Sequence, residues 1–234
     1  MLNLRSAIGT MTLAASMILA AGAANAASVS GYSNGSFSNM TCGWLGGCSI
    51  NDTSHGNDTQ LEWGSRNGTG STLTAKDHTW GFTAPGNGII LAELEWSNAA
   101  TSVWTTPPVF GALYTLAINF TQPAQVDDTE VFSLAILNVL NNTGDALFGL
   151  QFADLANLSF DLGDVSISNL RYQLDEGPGL FEHNIWYNPE KSTSRMYIMA
   201  DFSSVSVAEV PEPASLALLG MGLFGIGMLR RRRS

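Results

Sequence analysis

Few residues in this chain have the types and spacing that chemistry requires. Its three histidines are His55, His78 and His183. Acid–base or nucleophilic catalysis needs such a group within hydrogen-bond reach of a partner. No H-E-x-x-H or H-x-H spacing accompanies them. His55 lies in the polar run NDTSHGNDT, and His78 follows Lys76-Asp77. His183, in FEHNIW between Glu182 and Trp186, has the most site-like setting. A secreted hydrolase would bring Glu93, Glu95 or Glu182 beside it. Glu93 and Glu95 alternate in LAELEW, so on a strand they share one face. Like charges side by side can raise a carboxyl pKa, but the alternation makes this the solvent face, with Leu94 buried. No catalytic residue is assigned, and the chain reads as a non-enzyme.

Binding chemistry is little better marked. Asp127-Asp128-x-Glu130 and Asp161-Leu162-Gly163-Asp164 offer loop oxygens of the kind calcium prefers, without EF-hand spacing. A structural calcium is the only cofactor they suggest, and no metal site is assigned. Trp104 in WTTPP and the pair Trp186-Tyr187 in NIWYNP are the aromatics best placed to stack on sugar rings. Large aromatics also fill sandwich cores, so the same residues have a plain packing role open to them. Cys42 and Cys48, in CGWLGGC, read as a disulfide if the chain is exported. The alternative, a C-x5-C metal pair, has only His55 nearby to complete it.

The elements that must position these residues are short strands. Runs such as QLEWG, STLTA, GIILAELEW, FGALYTLAINF, EVFSLAIL, DVSISNLRYQ and RMYIMADFSSVSVA alternate or stay apolar between turns rich in Gly, Asn and Pro. That period of two predicts an all-β domain, an antiparallel β-sandwich of jelly-roll-like form, over residues 27–208. The expected core includes Leu61, Trp63, Leu73, Phe82, Ile90, Leu94, Leu113, Leu116, Ile118, Phe120, Phe132, Leu134, Ile136, Phe148, Val165, Ile167, Leu170, Tyr197 and Phe202.

The two ends differ from this middle. Residues 1–26 carry Arg5, then an apolar stretch, then Ala24-Asn25-Ala26. This is the pattern of a secretory signal peptide, a short helix removed after Ala26. At the other end, Ala214 to Leu229 holds sixteen uncharged residues followed by Arg230, Arg231, Arg232 and Arg233. As a helix that run is about 24 Å long, a short membrane span whose arginines hold its end in the cytoplasm. Pro211 and Pro213 end any element before it.

All twenty acidic residues lie within 27–213, against five of the ten basic ones, so this stretch carries a formal charge of −15. Such a surface repels nucleic acid and anionic lipid.

Pro211-Glu212-Pro213, the apolar run and the terminal arginines together resemble the PEP-CTERM sorting signal. The resemblance covers residues 211–234 and implies a Gram-negative bacterium that makes exopolysaccharide. It also implies a membrane protease, exosortase, acting at Val210, Pro211, Glu212 and Pro213. The protein would be a transient inner-membrane intermediate, then a structural or adhesive component of the cell surface or exopolysaccharide matrix. A carbohydrate-binding module is the alternative, and a secreted hydrolase the second. Within 28–207, Leu61-Glu62-Trp63-Gly64 and Leu91-Ala92-Glu93-Leu94-Glu95-Trp96-Ser97-Asn98 resemble the choice-of-anchor K domain. That resemblance implies an exported domain and no particular chemistry. Trp96 stands where many of its members carry histidine.

Overall fold

The computed structural model describes residues 26–42, 47–52, 58–64, 70–100, 106–139, 144–175 and 177–205. Residues 1–25, on which the expected signal peptide falls, Trp104, and the tail with its 214–229 run and arginines lie outside these residues. Among the described residues, no helix is long and apolar enough to cross a membrane.

In chain order the strands are β1 (Ser28–Ser38), β2 (Cys48–Asp52), β3 (Thr59–Trp63), β4 (Ser71–Lys76), β5 (His78–Thr83), β6 (Gly86–Asn98) and β7 (Val109–Gln122). There follow β8 (Val126–Leu137), β9 (Asp145–Phe148), β10 (Val165–Leu174), β11 (Leu180–Glu182), β12 (Ile185–Asn188) and β13 (Ser192–Ser204). One helical turn, α1 (Phe152–Leu155), separates β9 from β10. The strands form two sheets, ordered β11-β12-β9-β8-β7-β1-β5 and β10-β13-β6-β4-β3-β2, and every pairing is antiparallel.

Side-chain alternation builds the core. Along β7, Phe110, Ala112, Tyr114, Leu116, Ile118 and Phe120 all point inward. Across from them, β13 contributes Met196, Ile198, Ala200 and Phe202. Aromatic contacts join the sheets. Trp63 of β3 meets Phe110 of β7 with ring centroids 5.5 Å apart, and Phe120 of β7 meets Phe202 of β13 at 6.1 Å.

Four expected core residues lie elsewhere. Leu113 sits between the inward Ala112 and Tyr114, and Tyr197 between Met196 and Ile198, so alternation turns both outward to half-buried positions. Phe148 is exposed because its neighbour Leu147 takes the core position. Ile90 is displaced by a bulge: β13 pairs Ile198 with Ala92 and Met199 with Ile90, which leaves Leu91 unpaired. The extra residue puts Leu91 and Ala92 both inside.

Candidate functional site

The outer face of the second sheet holds the carboxylates that a hydrolase would need. Glu93 and Glu95 share that face on β6, as the alternation requires. Lys76 arrives on β4 opposite Glu93, and Arg195 on β13 opposite Glu95. Lys76 Nζ lies 2.8 Å from Glu95 Oε2 and 3.5 Å from Glu93 Oε1. Arg195 Nε lies 2.8 Å from Glu95 Oε2 and 3.4 Å from Glu93 Oε1. Partial burial pushes the Glu95 pKa up, but the hydrogen bonds from Lys76 and Arg195 outweigh it and hold the carboxyl below its ordinary range. An acid held ionised in this way cannot donate a proton near neutral pH. His183 sits elsewhere, exposed on the turn between β11 and β12, with a left-handed φ of 52°. Glu182 beside it is also exposed.

The proposed sugar-stacking residues separate. Trp186 is 0 % exposed; its ring packs edge-on against Trp96 at 5.2 Å, and its indole N–H donates to Ser194 Oγ at 3.0 Å. It is a core residue that bridges the sheets and offers no face to a sugar. Tyr187, next along β12, points the other way and is 41 % exposed. Its cross-strand partner Leu180 shares that outer face. Phe148, paired with Ile185, continues the apolar surface on the neighbouring strand.

Cys42 and Cys48 are joined by a disulfide, their Cα atoms 6.1 Å apart. The acidic runs are engaged by protein. Asp128 accepts the backbone N–H of Ser159 at 2.8 Å, Glu130 accepts from Asn157 Nδ2 at 3.2 Å, and Asp161 accepts from Gly163 N–H at 3.0 Å. Among the described residues, no three His, Cys, Asp or Glu side chains gather to hold a metal ion.

One polar cluster escaped the sequence reading. Asp145 opens β9 and is 1 % exposed. It accepts the N–H of Val139 at 2.8 Å and the indole N–H of Trp63 at 3.4 Å. Burial pushes its carboxyl up to about 6, with those two hydrogen bonds pulling the other way. Close by, the buried Asn98 and Asn188 tie β6 to β12. Asn98 Nδ2 donates to the carbonyl of Asn188 and Asn188 Nδ2 to that of Trp96, both at 2.8 Å. The sequence signal was an acid at the head of an apolar run, DALFGL, which alternation alone does not distinguish from a strand-edge charge. An open depression of about 510 Å³ is lined in part by Asn98, and Lys191 is the one charged side chain among its described lining residues.

The strongest functional mark lies where the fold ends. β13 runs outward and is pinned at its end: Phe202 is buried with its ring 4.9 Å from Phe82, and Val205 N–H donates to Asp164 O at 2.7 Å. Four positions later a known pattern begins. Residues 209–233 match the PEP-CTERM protein-sorting motif. The chain therefore carries the sorting signal of an exported protein that passes through the membrane and is processed by exosortase, a membrane protease. No curated protein and no solved structure matches the chain.

Proposed function

We propose that this chain is a structural or adhesive component of the surface or exopolysaccharide matrix of a Gram-negative bacterium. A signal peptide cut after Ala26 starts its export. The 214–229 run holds it in the inner membrane until exosortase acts at Val210, Pro211, Glu212 and Pro213, with Arg230, Arg231, Arg232 and Arg233 as the cytoplasmic stop. The sorting motif over 209–233 carries this reading. The sandwich is the delivered cargo, a choice-of-anchor K-like domain of jelly-roll-like form. A chain that changes sheet at seven of its connections supports the jelly-roll description. Its role is non-catalytic, a reading supported by the ion-paired Glu93 and Glu95 and the exposed, outlying His183.

The test is intact mass and fractionation of the protein from its native host. The expected species begins at Ala27, ends near residue 210 and resides in the matrix. A full-length tail retained in the inner membrane would overturn the sorting role.

Carbohydrate binding is the second reading. The outer face carrying Tyr187, Leu180 and Phe148 favours it, since a flat apolar and aromatic surface suits a sugar ring. Pull-down on host exopolysaccharide should then fall with Tyr187→Ala and be unchanged by Lys191→Ala.

A further inference from the structure

Both ends of the folded domain emerge at one pole. Ala27 O accepts the N–H of Ala84 at 2.8 Å, and Ser28 pairs with Thr83 at the end of β5. Two residues past Ala84, Gly86 pairs with Phe202 near the end of β13. The pole is thus built from Ala27, the Ala84-Pro85 bend, Asp164 and Val205, with Pro85, Asp164 and Val205 exposed. The last strand cannot easily peel away from it. Phe202 is plugged between Phe82 and Phe120, and Val205 is bonded to Asp164.

Ser206 to Val210 are all that separates this pinned exit from Pro211. Whatever its conformation, a chain advances at most ~3.6 Å per residue. The six steps from Val205 to Pro211 therefore reach about 20 Å, and the nine steps to Ala214 reach about 30 Å. The sandwich itself is longer: the fourteen residues of β7 span about 45 Å at strand rise. A domain longer than its tether is held with this pole towards the membrane. A protease cleft must also accept several residues of extended substrate around the cut bond, which uses most of the tether.

We propose that the Ala27–Val205 pole docks against the extracytoplasmic mouth of the membrane-embedded protease. Ser206–Val210 then sets the shortest separation at which the motif can still enter the cleft. This rests on the sorting role argued above and adds a steric requirement to it: the enzyme reads a folded pole as well as a motif. The fitting partner is a protease whose cleft opens shallowly, within about 20 Å of a folded surface.

Processing rates in the native host test this, followed as loss of the tail by pulse-chase and intact mass. Three full-length chains are compared: unaltered, lacking Ser206, Val207 and Ala208, and carrying six Gly/Ser residues inserted after Val205. Both variants leave every described strand intact, and resistance of the cargo to added protease checks that each is folded. The deletion should slow processing at least tenfold, and the insertion should be processed at the unaltered rate or faster. Processing of the folded deletion within twofold of the unaltered chain overturns the inference, as does slowing by the insertion. Retention of the tail by the unaltered chain overturns it together with the sorting role, so the two failures are told apart.

Discussion

Trp96 and Trp186 meet edge to face from opposite sheets, their ring planes at 90° and centroids 5.2 Å apart. Both are fully buried. Only the Trp186 indole N–H has a partner, Ser194 Oγ. The pair clamps β6 to β12 at the level where Asn98 and Asn188 exchange hydrogen bonds with the same strands. Trp186→Ala should therefore cost about 3–5 kcal/mol, the range for emptying a core aromatic site. Urea unfolding measures this. Trp186→Phe, which keeps much of the volume but loses the N–H, should fall in between. A variant that unfolds like the parent would show that the clamp carries no weight.

Asp145 gives the fold an unusual pH response. Its carboxyl is raised by burial to about 6, so over the window between the ordinary carboxylate value and 6 the folded state holds a proton that the unfolded state has released. Stability from this group is fully present at the acid end of that window and is lost as pH rises through about 6. A displacement of about two units corresponds to about 3 kcal/mol. Asp145→Asn keeps an acceptor for Val139 N–H and cannot ionise. The stability difference between variant and parent should thus shift in favour of the variant between pH 4.5 and 7. Denaturant midpoints at the two pH values check this, and a difference independent of pH would refute it.

Glu95 responds in the opposite sense. Its pKa is lowered in the fold, so its contribution is present above the ordinary carboxylate value and is lost as pH falls through the folded one. Its side chain is 24 % exposed, so solvent screens the pairs and Glu95→Gln should cost only about 1 kcal/mol. Raising NaCl from 0.05 to 1 M should shrink that cost by half or more, because salt screens the pairs with Lys76 and Arg195. Thermal unfolding at the two salt levels reads it directly.

The Cys42–Cys48 bridge closes a short loop, and chain entropy assigns such a loop about 2 kcal/mol. The double variant Cys42→Ser/Cys48→Ser should lose that amount and remain folded, since β2 is still held by five register pairs to β3. Reduction of the parent with dithiothreitol should reproduce the variant's midpoint.

Strand identity was legible because Phe110 to Phe120 and Phe132 to Ile136 repeat with period two. Inward parity was harder to read. Leu113 and Tyr197 look more apolar than Ala112 and Ala200, yet the pleat decides which residues point in, and small inward residues are tolerated beside large ones across the core. Ile90 could not be placed because a bulge is a property of two paired strands. The charge lattice was legible by half. The spacing of Glu93 and Glu95 put them on one face, but Lys76 and Arg195 come from strands distant in sequence, and only register brings them together. Asp145 was invisible for a related reason: its hydrogen-bond donors are Trp63 and Val139, neither of them adjacent to it in sequence. Trp186 and Tyr187 show the limit of reading aromatics by type. Adjacent on one strand, they face opposite ways, and only one is available to a ligand.

Ala27 and Val205 leave the sandwich at the same pole. A domain whose ends share one pole needs little room in a host sequence: it can be spliced into a loop of another protein with little disturbance of that loop. For the same reason its own ends can be joined by a linker and the chain reopened at the turn that carries the exposed His183. The fold thus behaves as an exchangeable cassette, with its attachments confined to one point and the opposite end left clear.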